Sequence, residues 1–260
     1  MFLSIDAGNS NIVFSLFDEA ENAWTNELRI NTQKNLTLAS LDQHTGLFFL
    51  ELGLSPSKVT QIGLSSVVPE LNATLQGFCK KFFGKEAYLI KGKSYRNLPI
   101  NTKKPDEIGS DLMANAMAAF AVFHQACIIV DFGTALTFTV VDNNGQLIGV
   151  NIVPGIKTAL KSLAMNTAKL PEVKLEMPKS VLGQGTVHSI QAGILYGYTG
   201  LVNGMLDAII KECEENFSIV ATGGLSTILT TLQHRFNLVD PYLTVEGIRL
   251  ITKANQKIKS

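Results

Sequence analysis

Two rhythms of apolar and polar positions alternate along this chain. Short runs rich in Ile, Val and Phe, bounded by small polar residues, predict strands at Phe2–Ile5, Asn11–Phe17, Trp24–Ile30, Gln61–Ser66, Ala87–Ile90, Ala126–Val130, Leu136–Val141, Gln146–Val153 and Ser218–Ala221. Longer stretches with one apolar face predict helices at Leu36–Leu52, Pro69–Phe83, Asp106–His124, Ile156–Thr167, Val187–Glu215, Leu225–His234 and Thr244–Asn255. Strands alternating with helices predict an α/β fold.

One pattern occurs twice. Residues 2–18 read FLSIDAGNSNIVFSLFD and residues 127–142 read CIIVDFGTALTFTVVD. Each is an apolar strand ending in Asp-x-Gly, a short polar turn, a second apolar strand and a closing Asp. The copies lie nearly half the chain apart. That spacing predicts two related domains, 1–118 and 119–260, facing a common cleft.

The turn itself carries chemistry. A strand that ends in Asp-x-Gly and turns straight back is expected to leave backbone N–H groups at the turn unpaired. With the small residues Gly8, Asn9 and Ser10 they would form a nest for phosphate. The preceding Asp would repel phosphate unless a cation such as Mg²⁺ stands between them. Other phosphate motifs fail. Gly92-Lys93-Ser94 lacks the first glycine of a Walker loop, and Gly183-x-Gly185 lacks the third glycine of a dinucleotide fingerprint. Ala221-Thr222-Gly223-Gly224 is expected to follow a strand, open a helix and admit an adenosine. Asp111 is a candidate base for an attacking hydroxyl.

Composition narrows the classes. The 260 residues carry 22 Lys plus Arg against 22 Asp plus Glu, so the basic footprint of a nucleic-acid binder is missing. With 46% apolar and 17% charged residues the chain is expected to fold, with part of its surface buried in an oligomer. Cys79, Cys127 and Cys213 are widely spaced and suggest a reducing compartment, the cytoplasm. No apolar run is long enough for a membrane span, and no signal peptide is expected. The four histidines are scattered, and each reads as a surface or structural residue.

The two Asp-x-Gly hairpins resemble those of the sugar and acetate kinases, heat-shock ATPases and actin. A longer set is more specific: Asp6-x-Gly8-Asn9-Ser10, Ser65-Ser66-Val67-Val68-Pro69, Ile108-Gly109-x-Asp111, Asp131-Phe132-Gly133-Thr134-Ala135, Pro154-Gly155, Thr186-Val187, Gly223-Gly224 and Leu243-Thr244-x-x-Gly247. In this order it is similar to the type III pantothenate kinases. The resemblance implies two ribonuclease H-like domains of the actin-like ATPase superfamily flanking a nucleotide cleft. It implies phosphorylation of pantothenate by ATP, the first step toward coenzyme A, in a homodimer. Asp6, Ala7, Gly8, Asn9, Ser10, Asn11, Ile12 and Val13 would hold the triphosphate, Asp6 facing Mg²⁺. Thr134 would contact the nucleotide. Asp131 would bind a monovalent cation, K⁺ or NH₄⁺. Asp111 would be the base. Thr102, Gly109, Ser110, Asp111, Leu112 and Thr186 would line the pantothenate pocket.

The departures fall on the acceptor side. Family members read Gly-Ala-Asp-Arg where this chain has Gly109-Ser110-Asp111-Leu112. Thr102 stands for a tyrosine, His188 for a glutamate after Thr-Val, and Val150 for a glycine. Three readings follow: a pantothenate kinase with an altered pocket, a nucleotide-binding paralogue with a regulatory role, or a kinase for another small hydroxyl compound.

Overall fold

The computed structural model describes residues 1–256. Contacts divide the chain into two units: Met1–Ala118 joined by the chain from Tyr242, and Ala119–Pro241.

In the first unit the strands are β1 (Phe2–Ala7), β2 (Asn11–Asp18), β3 (Ala23–Asn31), β4 (Gln61–Ser66), β5 (Tyr88–Leu89) and the short β6 (Asn101–Thr102). A five-stranded sheet runs β3–β2–β1–β4–β5. The first three strands are antiparallel neighbours, and β4 and β5 continue in parallel. The crossover helices are α1 (Leu38–Glu51) and α2 (Asn72–Phe83). α1 is capped by Thr37, whose side chain accepts the Ser40 N–H. One sheet face buries Leu3, Ile5, Ile12, Phe14, Leu16, Ile62 and Leu64 against Leu41, Phe49, Leu75 and Phe78 of these helices. Phe78 packs edge-on to Phe14 and Phe83.

The opposite face is covered by α6 (Leu243–Gln256). The sequence division assigned residues 242–260 to the second half. In the structure α6 packs on β1 and β4 of the first unit instead, and two glycines let it approach β4 on one side and α3 on another. A Cβ on Gly63 would overlap the Thr252 and Ile248 side chains, and one on Gly247 would overlap the backbone of Ala114 in α3 (Ser110–Phe123). Residues 257–260 of the sequence division lie outside the described residues.

The second unit holds β7 (Cys127–Phe132), β8 (Ala135–Val141), β9 (Gln146–Pro154), β10 (Ser218–Thr222) and β11 (Leu238–Val239). Its own strands run β9–β8–β7–β10–β11, antiparallel across β9, β8 and β7 and parallel across β7, β10 and β11. This repeats the first unit strand for strand. The helices are α4 (Ile156–Met165) and the 28-residue α5 (Thr186–Cys213), which buries Leu195, Val202 and Leu206 against Ile128, Val130, Leu136 and Phe138.

Two predicted helices change. Asp106–His124 starts only at Ser110, because Pro105–Glu107 form a turn closed by Glu107 N–H to Lys104 O, 3.1 Å. Leu225–His234 is not an α-helix. It is a turn followed by a 3₁₀ helix over Thr230–Arg235, which buries Leu229 and Leu232 at three-residue spacing.

Candidate active site

In the first unit, strand pairing sets Asp6 opposite Val13 on β2 and Ser65 on β4. Paired residues share a sheet face, so Asp6 lies on the face away from the Ile5–Phe14 core. The turn after it is more engaged than the sequence predicts. Gly8 N–H closes the hairpin on Asn11 O at 2.9 Å and so offers nothing outward. Thr32 ties down two carbonyls: its Oγ1 donates to Gly8 O at 2.6 Å and its N–H to Ser10 O at 2.9 Å. Carbonyls held this way do not oppose an incoming anion. Asn9 and Ser10 are exposed, whereas Ala7, Ile12 and Val13 are buried and have only backbone atoms to offer a ligand.

The same unit carries Asp111. Ser110 opens α3, and its Oγ stands 2.8 Å from Ser65 Oγ and accepts the Ser66 N–H at 3.1 Å. Asp111 follows. Its Oδ1 accepts the Leu112 N–H at 2.8 Å. Burial pushes the Asp111 carboxyl above the ordinary carboxylate range, while backbone N–H donors from Leu112 and Asp111 itself pull the other way. A carboxylate raised in this manner is the better proton acceptor. Gly109 leaves it room, since a Cβ there would overlap the Asp111 carboxylate. Leu112 contributes only its N–H to this group. Thr102 Oγ1 is engaged locally, accepting the Lys104 N–H at 3.3 Å.

Sequence reasoning missed Tyr95. It lies in a 3₁₀ turn, Gly92–Tyr95, and is buried. Burial raises its phenol pKa, and the carboxylates of Asp111 and Asp106 add to the rise, so Tyr95 sits within electrostatic reach of the candidate base. Its only sequence signal is an aromatic residue upstream in the segment that leads to Gly109.

In the second unit, Asp131 pairs with Thr137 on β8 and Thr222 on β10. The hydroxyls of Thr137 and Thr222 are buried and have no hydrogen-bond partner among the described residues. Two orphaned hydroxyls flanking one carboxylate are oxygen donors suited to a small cation. Gly133 N–H closes its hairpin on Ala135 O at 3.1 Å, repeating Gly8, and Thr134 is exposed at the tip. Gly223, expected at the head of a helix beside an adenosine, has φ +88° and opens a turn. A Cβ there would lie 2.5 Å from Asp131 Oδ1 and 2.7–2.8 Å from the Phe132 backbone, so the glycine makes room for the end of β7 and its Asp131 carboxylate. Thr186 is the first residue of α5 and is exposed, following Gly185 at φ +90°.

Among the described residues, no cluster of three or more His, Cys, Asp or Glu side chains could hold a metal alone. Mg²⁺ is commonly held by one or two carboxylates plus substrate phosphates, a role that fits Asp6 beside an exposed turn. A cavity of about 260 Å³ opens beside β3 and α1, lined by Arg29, Asn31, Ser40 and His44 among others, and no predicted site residue lines it. No helix among the described residues is long and apolar enough to cross a membrane.

Solved structures share the fold. A Baf family protein from Campylobacter jejuni superposes with TM-score 0.59 at 22% identity, over 98% of this chain and 100% of that one. The ethanolamine utilization protein EutJ from Carboxydothermus hydrogenoformans gives 0.53 at 16% identity, over 96% and 89%. Sequence relatives are nearer. The chain is 36% identical over 257 residues to the type III pantothenate kinase of Geotalea uraniireducens, covering 99% of this chain and 100% of that one. It is 38% identical over 258 residues to that of Brevibacillus brevis, covering 98% and 100%. The sequence profile of type III pantothenate kinase matches residues 2–208. With both hairpins, the Ser110–Asp111 helix start and this full-length similarity in place, the chain belongs to the type III pantothenate kinase family.

Proposed function

We propose that this protein transfers the γ-phosphoryl group of ATP to the primary hydroxyl of pantothenate, giving 4'-phosphopantothenate on the way to coenzyme A. The observation that carries it is the Ser65–Ser110 hydrogen bond. Ser65 is the strand partner of Asp6, and Ser110 immediately precedes Asp111. One bond therefore fixes the carboxylate of the phosphate turn relative to the carboxylate able to accept the hydroxyl proton.

In this reading the turn of Gly8, Asn9 and Ser10 receives the phosphates, and Thr134 offers its exposed hydroxyl to the nucleotide. Mg²⁺, held at Asp6, neutralises phosphate charge. Asp111 takes the proton of the attacking hydroxyl, and its raised basicity suits that task. Gly109, Ser110, Leu112, Thr102 and Thr186 bind pantothenate. Asp131 with the Thr137 and Thr222 hydroxyls holds K⁺ or NH₄⁺. We place the enzyme in the cytoplasm as a homodimer. The second unit exposes Ile152, Met165 and Leu182, each at least 66% accessible, which a dimer would cover.

A coupled ADP-release assay with pantothenate, Mg²⁺ and K⁺, read against a blank without acceptor, tests the reading. Pantothenate-dependent ADP release is expected. Its absence, with ATP still bound, would transfer the protein to a nucleotide-binding paralogue or to a kinase for another hydroxyl compound. Leu112 is the residue that favours that alternative, since its side chain sets no cation beside Asp111.

A further inference from the structure

Between α4 and α5 the chain runs from 166 to 185 without helix or strand. Side chains of α5 hold this segment by its backbone. Tyr196 donates its hydroxyl to Pro178 O at 3.1 Å and Gln191 Nε2 donates to Lys174 O at 2.8 Å. Ser189 sends both its N–H and its hydroxyl to Gly185 O, each at 2.9 Å. His188 uses both ring nitrogens: the Gln184 N–H donates to Nδ1 at 3.3 Å, and Nε2 lies 2.9 Å from Ser180 O.

The partners of His188 decide its tautomer. A backbone N–H can only donate, so Nδ1 must be the acceptor. A backbone carbonyl can only accept, so Nε2 must carry the proton. The two bonds together select one tautomer of the ring. An ionised glutamate at this position, as the family resemblance implies for relatives, accepts but does not donate and would leave Ser180 O unserved.

The place of this clasp gives it a consequence. Gln184 and Gly185 are the two residues before Thr186, and Gly185 is held at φ +90°. A Cβ on Gly183 would lie 2.6–2.9 Å from Ser189 Cα and Cβ, so the segment lies directly on the first turn of the helix. Gln184 N–H is pinned by His188 and Gly185 O by Ser189. The direction in which Thr186 leaves the turn is thus set on both sides of the glycine.

We infer that His188 is a positioning residue for the acceptor: its imidazole clasps residues 180–185 onto α5 and so orients Thr186 toward pantothenate. The inference rests on the reading of Thr186 as a pantothenate contact. Four proteins test it by steady-state kinetics: the parent, Thr186→Ala, His188→Ala and His188→Gln. Glutamine offers one acceptor and one donor and can repeat both bonds. His188→Ala is expected to raise KM for pantothenate roughly 3–10-fold, the scale of one net hydrogen bond. KM for ATP and kcat should stay near parent values, and His188→Gln should restore KM for pantothenate. If Thr186→Ala raises KM for pantothenate but His188→Ala does not, the clasp is overturned and the Thr186 reading stands. If Thr186→Ala leaves KM unchanged, the Thr186 reading falls and takes the clasp with it. A His188→Ala defect spread over both substrates and not rescued by glutamine marks a merely structural role and also overturns the inference.

Discussion

Ser65 Oγ and Ser110 Oγ stand 2.8 Å apart, and both residues are buried. Ser65 sits beside Asp6 across the β1–β4 pair, and Ser110 opens the helix that carries Asp111. Ser110 Oγ also accepts the Ser66 N–H, so one hydroxyl stitches the helix to the strand at two points.

Ser110→Ala removes the stitch and leaves Ser65 Oγ buried without its partner. Such a loss costs about 1–3 kcal/mol. In a chain of this size it should lower Tm by several degrees, at ~2–4 °C per kcal/mol. Ser65→Ala with Ser110→Ala should cost less than the two single changes together, because the second change removes the orphan the first creates. Thermal melting of the three variants measures this. Strict additivity would mean that the two hydroxyls do not interact.

Asp111→Asn should separate activity from stability. Removing a general base costs typically 10²–10⁴-fold in rate, and ATP binding should survive. The stability sign follows from the raised carboxyl. A carboxyl raised on folding favours the native state at pH below its ordinary value, and that advantage is lost as pH rises through the folded value. At neutral pH the ionised group, burdened by burial, therefore opposes folding. Asparagine removes the burden. The variant should melt higher than the parent at pH 7, and the gain should vanish toward acid pH. Melting curves from pH 3 to pH 8 check it, and a variant less stable than the parent at pH 7 would contradict the account.

Thr137 and Thr222 allow a different test. A buried hydroxyl without a partner destabilises, so exchanging it for a methyl group of the same shape should be neutral or stabilising when no cation is bound. Thr222→Val should hold or raise Tm in a medium free of K⁺ and NH₄⁺. It should also lose part of the rise in Tm and turnover that added K⁺ brings, since a ligand bound only to the native state stabilises it. Unchanged K⁺ stimulation in the Thr137→Val, Thr222→Val double variant would remove both threonines from the cation site.

What the sequence made legible was local. Each hairpin was readable because Asp-x-Gly, the polar turn and the flanking apolar strands are contiguous. Their repetition foretold two sheets of the same strand order. What it hid depends on contacts between distant segments. The fit of α6 rests on Gly63 where it meets β4 and on Gly247 where it meets α3, and nothing in the pattern of these segments names their partners. Thr137 and Thr222 join Asp131 only through strand register. Tyr95 nears Asp111 through a 3₁₀ turn that apolar periodicity does not register. His188 read as an ordinary structural histidine, because the carbonyl and amide that fix its tautomer belong to an irregular segment. Leu225–His234 departs from its predicted helix because buried positions three apart fit a 3₁₀ turn as well as an α-helix.

Position 112 carries no charge in this chain. Leu112 donates its N–H to Asp111 Oδ1, but its side chain neither attracts an anion nor donates a hydrogen bond. Thr102, at the position where relatives are expected to carry tyrosine, uses its hydroxyl to accept the Lys104 N–H. The acceptor side therefore lacks two groups able to hold pantothenate oxygens. Leu112→Arg with Thr102→Tyr should supply both. A guanidinium beside Asp111 also favours its ionised form, which lowers the carboxyl toward the ordinary range. Two effects then compete: a better-oriented acceptor and a weaker base. Positioning contributes more to phosphoryl transfer than basicity does, so the double variant should gain turnover with pantothenate. The acidic limb of its pH–rate profile should move to lower pH, because a carboxyl lowered by the guanidinium stays ionised further into the acid range. Steady-state rates from pH 5 to pH 8 read both quantities at once. A double variant with the parent's rate and an unmoved acidic limb would show that position 112 does not address Asp111. A shifted limb without a faster rate would show instead that this pocket is shaped for a different hydroxyl compound.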